Sequence, residues 1–179
     1  MMNKLLELST SEYYLDFFID DSSSMNTVDS VDLLGVKCSR WHEVQVRLIE
    51  IMEVLQFVPV SGIRIQFINR PNIINLSHRA MTPEAFYAEA TKQIRSAMGT
   101  PAKGATYMRA KLDNILREAM GRRTPTAVYI AFDGETSDQI EDLLTSPSKR
   151  NAKKIPVTFL SCTGHDDAVE WAKDLEDKT

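Results

Sequence analysis

Two carboxylates and three hydroxyls stand out by type and spacing. In Asp20-Asp21-Ser22-Ser23-Ser24-Met25, Asp20 ends an apolar run, and Ser22 and Ser24 follow at two-residue steps. A loop curling over the end of a strand would point these alternate side chains inward. Asp133 ends a second apolar run, in Phe132-Asp133-Gly134-Glu135, where Gly134 permits a tight turn. Thr106 closes the loop Gly104-Ala105-Thr106, directly ahead of a helical pattern. The set is all oxygen, which suits a hard divalent cation such as Mg²⁺, a metal that takes about six oxygens and tends to keep some of its waters. Taken alone, Asp20–Ser24 also has the composition of a plain turn, because Asp and Ser bond to nearby backbone. Acids and hydroxyls at three separate loops favour the metal site. Thr100 is the rival hydroxyl in the second loop, and its place suggests that it helps close the preceding helix.

Positioning such a set requires strands that end together. Tyr13–Ile19 reads as a strand, and Trp41–Phe57 as a helix with Trp41, Val44, Leu48, Ile51 and Leu55 at helical spacing. Ile63–Ile68 is a second strand, with Pro71–Leu76 as a short hairpin partner. Thr82-Pro83 supplies a cap and a first-turn proline for a helix to about Met98. A helix over Tyr107–Met120 buries Met108, Leu112, Ile115, Leu116 and Ala119. Ala127–Phe132 is a third strand, Ser137 is expected to cap a short helix to about Leu144, Ile155–Leu160 is a fourth strand, and Asp167–Leu175 a last helix. This alternation predicts an α/β, Rossmann-like three-layer α/β/α fold, a mostly parallel sheet with helices on both faces. Strands buried on both sides are apolar at successive positions, as Ala127–Phe132 is. In such sheets, sites lie at carboxyl ends of strands where strand order reverses.

The three segments together resemble the von Willebrand factor A domains. Asp20-Asp21-Ser22-Ser23-Ser24 is similar to the Asp-x-Ser-x-Ser signature that opens their metal-ion-dependent adhesion site; Thr106 matches the Thr of the second loop, and Asp133 in Phe-Asp-Gly-Glu the Asp of the third. The resemblance covers nearly the whole chain. It implies that Ser22, Ser24 and Thr106 supply hydroxyl oxygens to Mg²⁺ (Mn²⁺ or Ca²⁺ being alternatives), with Asp20 and Asp133 acting mainly through water. One position would stay open for an Asp or Glu of a partner protein. The chain departs from the pattern in three places. Ser23 stands where many members have Gly. Asp21 adds a carboxylate expected to weaken capture of an acidic ligand. The family usually ends with a further strand and helix, whereas this sequence stops at Thr179: the edge strand is absent, or the sequence is trimmed, or Met1–Leu8 fills that role.

Other features bound the function. At 179 residues the chain reads as one domain, 1–179, and a formal net charge of -4 argues against a dedicated nucleic-acid binder. The basic run Lys149-Arg150 with Lys153-Lys154 reads as a solvated loop. Cys38 and Cys162 are too few for a disulfide framework, and Cys162 reads as a small core residue. No signal peptide opens the sequence and no apolar stretch reaches membrane-spanning length, so the expectation is a cytoplasmic, reducing setting. A dehalogenase-type phosphotransferase needs Asp-x-Asp, and Ser22 stands where the second acid belongs. A receiver-type domain could use Asp20-Asp21 and Asp133 but leaves the hydroxyl spacing unexplained. There is no Gly-x-Ser-x-Gly elbow and no Walker loop. No His accompanies the cluster for acid–base work, so a non-enzyme is expected. A metal-independent scaffold of the same fold is the remaining alternative. His42 and His78 read as a helix-surface and a loop residue, His165 beside Asp166 and Asp167 as a capping composition, Trp41 as a core or rim anchor, and Asn69–Arg79 as a polar loop.

Overall fold

The computed structural model describes residues 13–79, 81–134 and 136–162. Strand β1 (Tyr14–Ile19) leads into a 3-10 turn (Ser23–Asn26) and a small hairpin, β2 (Ser30–Val31) and β3 (Lys37–Cys38). Helix α1 (Arg40–Leu55), β4 (Gly62–Phe67), β5 (Ile73–Leu76), α2 (Pro83–Met98), α3 (Arg109–Gly121), β6 (Thr126–Phe132), α4 (Glu141–Thr145) and β7 (Val157–Ser161) follow. Among the described residues the main sheet has the order β5-β4-β1-β6-β7. All pairings are parallel except β4 with β5, which is the expected hairpin partner. The expected last helix, Asp167–Leu175, and His165 lie outside the described residues.

Two apolar layers close the sheet. On one face α1 and α2 bring Trp41, Leu48, Met52, Phe86 and Ile94 against Phe17, Ile19, Ile65 and Phe67. On the other, α3 and α4 bring Leu112, Ile115, Leu116 and Leu143 against Phe18, Val128, Ile130 and Phe132. β6 is buried along its whole length, because both of its faces and both of its edges are covered. The chain moves from β1 outward to β4 and β5, then returns to the opposite side of β1 as β6. Strand order therefore reverses between β1 and β6, and their carboxyl ends lie side by side, with Ile19 opposite Ala131.

Several local expectations are corrected. Ser137 caps no helix: α4 starts at Glu141 with Ile140 before it and no side-chain cap, and the Ser137 amide instead donates to the Thr106 carbonyl at 3.0 Å. The helix expected from Tyr107 begins at Arg109, because the Asp138 carboxylate accepts from the Met108 and Arg109 amides at 3.1 and 2.9 Å and fixes its start. The last described strand starts at Val157 rather than Ile155. The basic run is only partly solvated, since Arg150 is buried and donates to the carbonyls of Leu144 (2.8 Å) and Ile155 (3.0 Å), tying the connection after α4 to the start of β7. Trp41 is a core anchor, its Nε1 donating to the Met98 and Thr100 carbonyls, both at 3.1 Å. Thr82 caps α2 as expected, accepting from the Ala85 amide.

Candidate functional site: three stitched loops at the β1–β6 edge

The site is built outward from the end of β1. The Asp20 amide donates to the Ala131 carbonyl at 2.8 Å, which continues the β1–β6 ladder and sets Asp20 beside the end of β6. The Asp20 carboxyl is fully buried. Its Oδ1 accepts from the Ser22 amide at 2.7 Å, whereas Oδ2, also buried, has no hydrogen-bond partner. Burial pushes the Asp20 pKa up to about 6; the Ser22 hydrogen bonds oppose this, and repulsion from Asp133 and Asp21 adds to it. Ser22 is buried and Ser24 exposed, and their hydroxyls lie 2.9 Å apart, so alternate residues of the loop do converge.

The second loop is sewn to the first. The Ser23 amide donates to the Gly104 carbonyl at 3.0 Å, and the Lys103 amide to the Asp21 carbonyl at 2.8 Å. Asn26 exchanges a pair of bonds with Ala102, at 2.8 and 3.1 Å. Gly104 has φ +116°, a backbone conformation that strains other residues, and a Cβ there would sit 2.4 Å from the Asn69 side chain, which would have to move. Thr106 follows, nearly buried. The third loop joins through the Ser137–Thr106 and Asp138–Met108 bonds given above, with Gly134 at φ +108° making the turn after Asp133. Thr100 lies apart from this set: its hydroxyl accepts from Arg70 at 3.0 Å.

Asp21 does not face the candidate set as expected. It is fully buried and accepts from the Asn69 amide (2.6 Å), the Asn69 side chain (3.1 Å) and the Arg70 amide (3.0 Å), with Arg70 Nε 3.3 Å away. Its carboxylate holds the end of β4, and its charge still reaches Asp20 through space. Arg70 in turn lies over the Trp41 ring, 4.8 Å from its centre.

Sequence reasoning missed Arg40. Its Nη1 donates to Asp133 Oδ2 at 3.0 Å, its Nε to Asp29 Oδ1 at 2.8 Å, and its Nη2 to Asp29 Oδ2. A signal existed. Arg40 is the first residue of α1, capped by Ser39, and a cation in the first turn is disfavoured by the helix dipole. Acids nearby offset that penalty, and Asp29 and Asp133 do so here.

Among the described residues no group of three or more His, Cys, Asp or Glu is placed to hold a metal. The candidate set is of another kind, two carboxylates with three hydroxyls. It passes a test of fit on one point: a fully buried carboxylate oxygen without a partner is costly unless something positive or proton-bearing meets it. No helix among the described residues is long and apolar enough to cross a membrane.

No protein-family model matches this sequence. No curated protein matches it by sequence. Solved structures do match. An aerotolerance-related membrane protein from Bacteroides fragilis superposes with a TM-score of 0.54 at 18% identity, covering 83% of this chain and 67% of that one. The ArnB paralog VWA2 of Sulfolobus acidocaldarius gives 0.53 at 16%, covering 94% of this chain and 39% of that one. The manganese-loaded TRAP protein of Plasmodium vivax gives 0.52 at 13%, covering 90% and 62%. The chain thus spans well under two thirds of VWA2 and slightly under two thirds of TRAP. At these identities the likeness speaks to architecture, and with the strand order and loop geometry above it establishes that this chain has the von Willebrand factor A fold.

Proposed function

We propose that this chain is a divalent-cation-dependent protein-binding module without catalytic activity. Asp20, Ser22, Ser24, Thr106 and Asp133 would hold Mg²⁺, or Mn²⁺ or Ca²⁺ in its place, and a partner's Asp or Glu would complete the site. When bound, such a cation supplies electrophilic charge that a carboxylate can meet. The single observation that carries the reading is the buried, unpartnered Oδ2 of Asp20. It sits beside the converging hydroxyls of Ser22 and Ser24 at the strand-order reversal. The manganese loading of TRAP, a protein of the same fold, supports the choice of chemistry. The two free cysteines agree with a reducing, cytoplasmic setting.

The receiver-type alternative is weakened by Asp133, whose side chain is 3% exposed and paired with Arg40 rather than presented as an acceptor. The metal-independent scaffold is separated from the proposal by a thermal melt in chelator and then in millimolar Mg²⁺ or Mn²⁺. A cation that binds only the folded state raises its stability by mass action. Wild type gains stability, and Ser22→Ala/Thr106→Ala does not. No response from wild type at saturating Mn²⁺ overturns the proposal.

A further inference from the structure

We infer that Arg40 is an internal competitor for the candidate site: its guanidinium and a divalent cation are alternative or mutually repelling occupants of the space beside Asp133. The inference rests on the cation-binding proposal above. One guanidinium bridges two acids, 3.0 Å from Asp133 Oδ2 through Nη1 and 2.8 Å from Asp29 Oδ1 through Nε, and the Arg40 side chain is only 11% exposed. A positive charge so placed, and so little screened, already neutralises one of the two carboxylates of the candidate set. A doubly charged cation must either displace Nη1 from Asp133 or bind against the repulsion of a fixed guanidinium. In both cases Arg40 raises the cation concentration at which the site fills.

Arg40 also gives the site a mechanical connection. Asp29 stands just ahead of β2, and the Arg40 amide donates to the Thr27 carbonyl at 3.1 Å, so the base of the β2–β3 hairpin is held by the same residue that holds Asp133. The hairpin tip is hydrogen-bonded within itself. Asp32 Oδ1 accepts from the Leu34 and Val36 amides, both at 2.9 Å, and Gly35 turns at φ +76°. Leu33 and Leu34 are exposed on it. Loading the site therefore redistributes Arg40 between Asp133 and Asp29, and the hairpin base registers the change.

Mn²⁺ binding measured by the electron paramagnetic resonance of free Mn²⁺ tests this on wild type, Arg40→Gln, Arg40→Lys and Asp29→Asn, each first checked for a cooperative melt. Arg40→Gln is expected to bind Mn²⁺ at least about tenfold more tightly, because a full positive charge leaves the site. Arg40→Lys keeps the charge and is expected to fall between Arg40→Gln and wild type. Asp29→Asn is expected to bind several-fold more weakly, because Arg40 then has only Asp133 as an acidic partner. Amide exchange in residues 27–38 is expected to change on Mn²⁺ addition in wild type and not in Arg40→Gln. Wild type that binds Mn²⁺ beside an Arg40→Gln that binds equally or less tightly overturns the competition and leaves the cation site standing. Absence of Mn²⁺ binding in wild type and in Arg40→Gln alike overturns both. Should Arg40→Gln not fold, Arg40→Lys and Asp29→Asn carry the same opposed signs.

Discussion

Asp16 and Asp20 stand four residues apart on the same side of β1, and both are fully buried, yet they live in opposite circumstances. Asp16 is satisfied. Its Oδ2 accepts from Arg64 Nε and Nη2 at 3.0 and 2.5 Å, its Oδ1 accepts from Gln66 Nε2 at 2.9 Å, and Arg122 lies 3.7 Å away. Asp20 has one amide for Oδ1 and nothing for Oδ2. The same strand thus carries one buried carboxylate with full compensation and runs into a second that is left incomplete, the contrast on which the cation-binding proposal rests. The register explains how. Asp16 lies opposite Arg64 of β4, mid-sheet, where neighbouring strands supply cations; Asp20 lies beyond the last ladder pair, where only loops reach it.

The sharpest way to break this comparison is to spoil the satisfied partner. Arg64→Met leaves Asp16 buried without its main cation and is expected to cost about 3–5 kcal/mol in urea unfolding, whereas Asp16→Leu/Arg64→Met together should recover at least half of that. A small loss in the single variant would mean that the pair is ornamental.

Next in size is the reverse change at Asp20. Its pKa is raised to about 6 from an ordinary 3.8, so between those values the folded state holds a proton that the unfolded chain has lost. Stability from this group is therefore lost as pH rises through about 4 to 6 and regained on acidification. Without cation at pH 7.5, Asp20→Asn is expected to be more stable than wild type by about 1–3 kcal/mol, a gap that closes as the pH approaches 4. The same variant should lose its Mg²⁺ or Mn²⁺ response. In wild type, cation affinity should fall as the pH drops through 6. A destabilised Asp20→Asn at pH 7.5 would reverse the reading of Asp20 as an incomplete site.

Smaller still, Ser22→Ala/Thr106→Ala should shift cation-free stability by no more than about 1 kcal/mol while removing the cation response. At the bottom of the scale, Leu34→Ser on the exposed hairpin tip should stay within about 0.5 kcal/mol of wild type. A larger loss would show that the tip packs against something in solution.

The sheet was legible because its strands are short, apolar-rich runs, uninterrupted in β6 and broken only by Asp16 in β1 and by Arg64 and Gln66 in β4, and because its helices repeat at helical spacing. Both are local properties of the chain. Asp20, Ser22 and Ser24 were legible for a similar reason, since a strand end and two-residue steps can be read along the sequence. What escaped was reached across space. Asp138 caps α3 from some thirty residues downstream, Asp21 is drawn to Asn69 and Arg70, and Arg40 meets Asp133 at a separation of 93 residues. The inward-facing Arg150 escaped for a different reason: a buried arginine bonded to carbonyls has the same neighbours in sequence as a solvated one.

The stitching of the three loops has a temporal consequence. Its long-range threads join residues 76 to 93 positions apart: Asn26 to Ala102, Ser23 to Gly104 and Arg40 to Asp133. None can close while only the first hundred residues have left a ribosome. β1 itself has one neighbour, β4, until β6 arrives. The β1–β6 edge is thus expected to be among the last parts to mature, and a nascent chain to pass through a stage in which β1 is made but its Asp20 end is still open on one side. Folding of this chain is expected to be paced by the arrival of β6, and a cation bound as proposed would act as a lock applied at the end rather than a template at the beginning.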